Sequence, residues 1–275
     1  MSNSAEIKPH VSASSLDTFL TCGELYYQTR LNGKKSGTSL PALRGTAVHA
    51  AAANNYRQKI ETREDLSQGD FVDFAVSQFD GGLSSGVHLS SEDERIGVKK
   101  VVGQARDAVA DLARFHVREQ APGYLPVLVE EKFRLDLPGS HDLLGFVDLL
   151  DESGVVTDFK TRSKRATQSE ADTSPQLTIY AAGVHALTGA PPKQVAFDVT
   201  INMASKVDRQ VLSSTRDERD FDALADRIEM VTKSINAGIF PPAPTGSWKC
   251  SEKWCPLWNS CKYVNAERVA KQQQD

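Results

Sequence analysis

The residues best suited to chemistry lie in one short stretch, 145–162, with the sequence GFVDLLDESGVVTDFKTR. Asp148 stands near the end of one apolar run, and Asp158 and Lys160 stand at the end of the next. Side chains alternate along a strand, so Asp158 and Lys160 share a face. The turn sequence Asp151-Glu152-Ser153-Gly154 folds the first run back beside the second. Two carboxylates at one point repel unless a cation joins them, and hard oxygen donors favour Mg²⁺ or Mn²⁺. Such an ion lowers the pKa of a bound water and stabilises charge on a phosphate oxygen. A nearby ammonium can hold that water or the developing anion. The chemistry on offer is metal-assisted hydrolysis of a phosphate ester. Taken alone, D-x-K reads more simply as a cross-strand ion pair at a sheet edge.

Further residues raise the weight of the chemical reading. Gln176 and Tyr180 stand four apart on the next expected helix, hence on one face, and Pro175 opens that turn. His49 follows Gly45 in a G-x-x-x-H spacing on an alanine-rich helix. A lone histidine there is more often a core or surface residue than a ligand, until partners are found. Glu130 lies on an earlier strand, with Glu131 beside it as a rival. Arg162, Lys164 and Arg165 follow the D-x-K lysine, and Arg44 precedes His49. This basic group is either a solvated loop or a set of contacts to backbone phosphates.

Three cysteines, Cys250, Cys255 and Cys261, crowd into twelve residues, and Cys22 is more than 220 residues away. Disulfides are the less common use of thiols in a cytosolic protein. Four thiols match one zinc site or one iron–sulfur cluster.

The elements that must position these groups follow from periodicity. Helical spacing is expected over residues 12–27, 44–60, 92–120, 172–187 and 217–237, with a short helix around 71–79 and a mobile loop to 91. Strand patterns cover 127–137, 143–150, 155–160 and 195–201, with a fifth over 209–214. Short connections make the first three antiparallel. Residues 240–244 are a proline-rich linker, residues 1–11 a loose leader and residues 265–275 a frayed helical end. The expected fold is α/β, a mixed central sheet of four or five strands flanked by helices. Three regions are expected: 12–120, helical; 121–240, the core; and 241–265, a cysteine tail packed back on the first helix.

In order, the chain carries G-x-x-x-H, an acid on the first strand, G-x-x-D, D-x-K-T and Q-x-x-x-Y. This order resembles the RecB-type branch of the PD-(D/E)XK nuclease superfamily, which includes AddB-type and CRISPR-adaptation exonucleases. The likeness spans residues 12–264. It implies a restriction-endonuclease-like core. It implies metal binding by His49, Asp148, Asp158 and the backbone carbonyl of Phe159. Lys160 is similar to the catalytic lysine, and Gln176 and Tyr180 to the pair that steadies the lysine and the substrate strand. Cys22, Cys250, Cys255 and Cys261 resemble a staple holding a [4Fe–4S] cluster, with structural Zn²⁺ as the alternative. Trp248, Trp254, Pro256 and Trp258 would shield it. The implied activity is an Mg²⁺- or Mn²⁺-dependent exonuclease on single-stranded DNA ends, in repair, recombination or CRISPR adaptation. The rival readings are a non-catalytic DNA-end-binding protein and a phosphatase of small substrates.

Composition sets the outer bounds. The chain has 275 residues, 40% hydrophobic and 25% charged, as in an ordinary globular protein. Net charge is −4, so any DNA contact must use a local basic groove rather than a general excess of cations. No apolar run approaches the roughly 18 residues of a membrane span. The N-terminus lacks the apolar segment of a signal peptide. The expected location is cytoplasmic. G-x-x-x-x-G-K-[ST] does not occur, so a helicase partner would be a separate protein.

Overall fold

The computed structural model describes residues 8–34, 37–203 and 206–264. The expected leader over residues 1–7 and the frayed end over 265–275 lie outside the described residues.

A two-residue strand, β1 (His10–Val11), precedes α1 (Ala13–Thr21), whose start is set by a Ser12–Ser15 capping box. The single helix expected over 12–27 is interrupted at Cys22, which is extended and whose sulfur accepts from the Leu25 N–H at 3.4 Å to cap α2 (Gly23–Tyr26). The linker causes the break. Pro241 accepts from the Glu24 N–H at 3.2 Å, and Phe240 packs against Phe19, Tyr26 and Tyr27.

A second two-residue strand, β2 (Thr38–Ser39), leads into α3 (Leu40–Thr62), with Ser39 as its cap and Pro41 in its first turn. The next helix, α4 (Gln68–Ser84), runs past Gly81-Gly82, where a loop was expected. Gly82 is there for close packing: a Cβ on it would meet the Leu43 side chain at 2.2 Å. Then β3 (Val87–His88) pairs with β2, and α5 (Ser91–Ile96) and α6 (Val98–Phe115) divide at Gly97. The remaining order is β4 (Pro126–Leu135), β5 (Asp142–Asp151), β6 (Val155–Arg162), α7 (Gln168–Asp172), α8 (Pro175–Thr188), β7 (Gln194–Asn202), β8 (Val207–Ser214) and α9 (Glu218–Asn236).

Among the described residues the main sheet is mixed and has six strands, one more than the upper expectation because β1 joins it. β4, β5 and β6 form an antiparallel meander, and β6 and β7 are parallel, joined by a crossover through α7 and α8. Helices cover both faces, so the fold is α/β as expected. Leu16, Phe19, Leu177, Ile179 and Ile228 bury one face under α1, α8 and α9. Ala47, Tyr56, Phe71, Val109 and Phe159 bury the other under α3, α4 and α6. Phe71 and Phe79 are fully enclosed, each worth about 1.5–3 kcal/mol of apolar transfer. No helix among the described residues is long and apolar enough to cross a membrane.

One irregularity of the sheet matters for function. Leu143 pairs with Leu135 of β4 and with Val11 of β1, while Leu149 pairs with Val129 of β4 and with Thr157 of β6. β1 and β6 therefore share the edge of β5 opposite β4, at its two ends. β5 meets β6 only through Leu149 and Leu150. Among the described residues, no strand pairs with residues 144–148 on that edge.

Candidate metal centre

The centre sits where β5 and β6 part. In β5, Val147 belongs to one core and Leu149 to the other, although residues two apart on a strand should share a face. The alternation slips at Asp148. The partner strand slips at the same level: Leu128 and Phe133 pack into the same core although they are five residues apart. The residue that absorbs the slip is Glu130, with φ +50°, a left-handed conformation that is strained for a non-glycine residue. Pairs Val129–Leu149 and Glu131–Val147 bracket Glu130 and Asp148, which lie opposite each other. Glu130 is thus the acid at the centre, and Glu131 is exposed on the sheet.

α3 brings His49 to these acids. Its Nε2 donates to the Phe159 carbonyl at 2.6 Å and lies 3.6 Å from Asp148 Oδ2. Its Nδ1 is 3.8 Å from Glu130 Oε1, a charge contact rather than a hydrogen bond. The ring of Phe159 is stacked on Tyr56 at 5.6 Å and meets His116 edge-on at 5.1 Å, so the core fixes where its carbonyl points. Burial pushes the His116 imidazole down to about 4, so it stays neutral in this cluster.

α8 supplies a relay on the other side. Lys160 Nζ donates to Gln176 Oε1 at 2.8 Å and lies 2.7 Å from Asp158 Oδ2. Gln176 Nε2 donates to Asp158 Oδ1 at 3.0 Å and to Tyr180 Oη at 2.9 Å. Tyr180 Oη then donates to Asp148 Oδ1 at 2.9 Å. Gln176 has used both donors and its acceptor, which leaves it a single orientation. Two glycines let α8 come this close. A Cβ at either Gly145 or Gly183 would stand 2.4 Å from the Phe133 ring, which lies between them.

The electrostatics follow from burial and crowding. Burial alone would lower the His49 pKa, but Glu130, the Asp148 charge and the Phe159 carbonyl raise it to about 9. Burial, reinforced by Asp158, pushes the Asp148 carboxyl up to about 7 against the pull of His49. Burial drives the Tyr180 phenol far above its ordinary range, so it remains a donor.

These donors fit a hard divalent cation. Asp148 Oδ2 is buried and has no hydrogen-bond partner among the described residues, a costly state for a carboxylate unless an ion takes the place. Donor atoms of His49, Glu130 and Asp148 lie within 4.8 Å of one another. The spacings of 2.6 Å and 3.6 Å from His49 Nε2 bracket the edge of about 3 Å expected for octahedral coordination at 2.0–2.1 Å. Asp158 stands beside this group, turned toward Lys160 and Gln176.

A family model described as the PD-(D/E)XK nuclease superfamily matches residues 10–262. The chain belongs to this superfamily. Membership makes it a nuclease, a phosphodiester hydrolase of a family that uses divalent metals and acts on DNA. A solved structure from Eubacterium rectale named "Putative exonuclease" shares 14% identity over 86% of this chain and 84% of its own, with TM-score 0.55, and so shares the fold. A second, named SSO0001, shares 11% identity over 94% of this chain and 88% of its own, and its TM-score of 0.40 carries no argument. No curated protein matches.

The other expected site residues of the nuclease are placed unevenly. Arg162 pairs with Glu170, and Arg165 with Asp208 at 2.6 Å, so both cations are engaged within the chain. Lys164 is exposed and has no ion pair among the described residues. Arg44 lies inside α3, half-buried, with its Nε unpartnered. Cys22, Cys250, Cys255 and Cys261 all line one cavity of about 250 Å³. Burial pushes the Cys255 thiol up, and neighbouring cysteines add to the shift. Among the described residues these cysteines do not form a group of three whose sulfurs lie within 4.8 Å of one another. Trp248 and Trp254 border the cavity yet stay 63% and 47% exposed, and Trp258 is buried outside its lining.

Sequence reasoning missed a buried brace. Asp198 of β7, fully enclosed, accepts from Tyr124 Oη at 2.8 Å and Arg209 Nη2 at 2.8 Å, and Arg209 Nη1 donates to the Glu119 carbonyl at 2.9 Å. The only signal was an acid at the middle of an apolar strand.

Proposed function

We propose that this protein is an Mg²⁺- or Mn²⁺-dependent deoxyribonuclease acting on single-stranded DNA ends. The observation that carries the reading is the buried, unpartnered Asp148 Oδ2 facing His49, tied through Tyr180 and Gln176 to Lys160. His49, Asp148, the Phe159 carbonyl and Asp158 would hold the ion, with Glu130 as an additional or water-mediated ligand. A bound ion would supply an ionised water and charge stabilisation on the phosphate. Tyr180 orients Asp148 by donating to its other oxygen, which leaves Oδ2 free to face the ion. Lys160, 28% exposed and anchored by Gln176 and Asp158, would donate to the attacking water or to a phosphate oxygen. Residues 121–240 are the nuclease core in this reading, with 12–120 and 241–265 built onto it.

The four-cysteine cavity supports a resident metal group as well. All four cysteines line it, and a [4Fe–4S] cluster held there would tie α2 to the tail, with structural Zn²⁺ as the alternative. Anaerobically purified protein is then brown with about four iron atoms per chain. Colourless protein with stoichiometric zinc would overturn this part alone.

The decisive assay uses end-labelled linear and circular single-stranded DNA with Mn²⁺. Degradation of the linear form, abolished by Lys160→Ala, supports an exonuclease. Cleavage of the circle points to an endonuclease, and absence of any cleavage returns the protein to an end-binding role. Repair, recombination and CRISPR adaptation are the settings this activity fits.

A further inference from the structure

A cleft of about 670 Å³ opens directly from the metal centre. His49 and Glu130, two of the three candidate metal ligands, line it. Ala50 and Ala53 of α3 line it with single methyl groups, which leave room for a ligand. One wall carries Phe146 of β5, a ring left 46% exposed two residues before Asp148. Phe74 of α4 lines the same cleft. An exposed phenyl ring beside a polar centre has no role in the core, but it offers a face for stacking a nucleobase. Arg57 lies two helical turns from His49, about 12 Å along α3. It is exposed and has no ion pair among the described residues.

We propose that this cleft seats the nucleotide adjoining the scissile phosphate, its base stacked on Phe146 and a neighbouring phosphate paired with Arg57. This rests on the nuclease reading above and adds the residues that position its substrate. Binding through a base face and a phosphate carries no sequence preference, since every base has a π-face. The position of the cleft accounts for the arrangement of acids and cations. The acids stay with the ion, and the free guanidinium sits away from them where the backbone continues.

The test separates seating from hydrolysis. Equilibrium binding of labelled single-stranded oligonucleotides is measured by anisotropy in EDTA, using a series in which a single abasic residue is moved along the strand. The wild type should lose about tenfold in affinity at one position near the end. Phe146→Ala should lose about tenfold on the intact strand and nothing further at that position, while Phe146→Trp should keep both the affinity and the abasic penalty. Arg57→Gln should lower the slope of log K against log[salt] by about 0.7, the value for one phosphate of a single strand. Mn²⁺ affinity, unchanged in all three variants, reports that each is folded. A wild type with no position-specific penalty, or a Phe146→Ala protein that keeps it, overturns the proposal. Hydrolysis of the intact strand by the wild type in Mn²⁺ is scored separately: its absence sinks the nuclease reading, and the binding series still decides the cleft.

Discussion

Metal binding at this centre should release protons in a number that changes with pH. In the metal-free protein His49 has its pKa raised to about 9 and Asp148 to about 7. A metal ligand must be neutral imidazole or ionised carboxylate, so the ion displaces whatever protons these groups hold. At pH 7 a group of pKa about 9 is almost fully protonated and one of about 7 is half protonated, which gives about 1.5 protons released per ion. The same arithmetic gives about two protons at pH 6 and about one at pH 8. Apparent affinity should therefore rise about 100-fold per pH unit near pH 6 and about tenfold near pH 8. Titration calorimetry with Mn²⁺ in buffers of different ionisation enthalpy reads the number directly. His49→Ala should lower it by about one at pH 6 to 8. Stability of the metal-free protein runs the other way. Between pH 6.5 and 9 the folded state keeps a proton on His49 that the unfolded chain has lost, and between 3.8 and 7 it keeps one on Asp148. Both contributions are lost as pH rises, so the thermal midpoint without metal should fall from pH 6 to pH 9 while the increment from Mn²⁺ grows. Proton release near zero at pH 7, or release unaffected by His49→Ala, would refute the assignment of these two groups as ligands.

Three substitutions probe the surrounding frame. Lys160→Ala should cut the hydrolysis rate at saturating metal by about 10²–10³, while Mn²⁺ affinity holds or rises, because the lost ammonium sits 2.7 Å from Asp158 Oδ2, a carboxylate that would hold the ion. Tyr180→Phe removes the donor to Asp148 Oδ1 and should destabilise the metal-free fold by about 1–3 kcal/mol at pH 8, where Asp148 is ionised, and by less at pH 5.5, where it holds a proton; urea melts at the two pH values give the comparison. Glu130→Gly should be more stable than Glu130→Ala by about 1 kcal/mol, the reverse of the usual order in a strand, since the residue sits at φ +50°; equal thermal midpoints would mean the strand relaxes.

Much of the centre was legible because it rests on regular periods. Asp158 and Lys160 share a face of β6, and Gln176 and Tyr180 share a face of α8, and these spacings survive folding unchanged. The meander of β4, β5 and β6 could be read from its turns. What escaped depended on contacts far away in the chain. Glu130 and Glu131 could not be told apart, because the answer lay in a backbone reversal that no periodic pattern encodes. The break at Cys22 is imposed by the linker around Pro241, more than 200 residues later. Gly81-Gly82 resembled a loop, yet Gly82 serves packing against Leu43. Arg162 and Arg165 looked available for phosphate until Glu170 and Asp208 were found beside them. β1 is two residues long and too short for any period.

The short join between β5 and β6 would give a bound ion a mechanical role. The two strands are zipped through Leu149 and Leu150 and then separate, with no ladder bonds to hold them past that point. An ion shared by Asp148 and the Phe159 carbonyl would be a rung across the open part of the zipper. Cofactor occupancy would then set how far the strands stand apart, and the same atom that activates water would keep the jaws at working width. Backbone amides around 147–148 and 159–160 should exchange with solvent faster in EDTA than in Mn²⁺, while those of β7 and β8 stay unchanged.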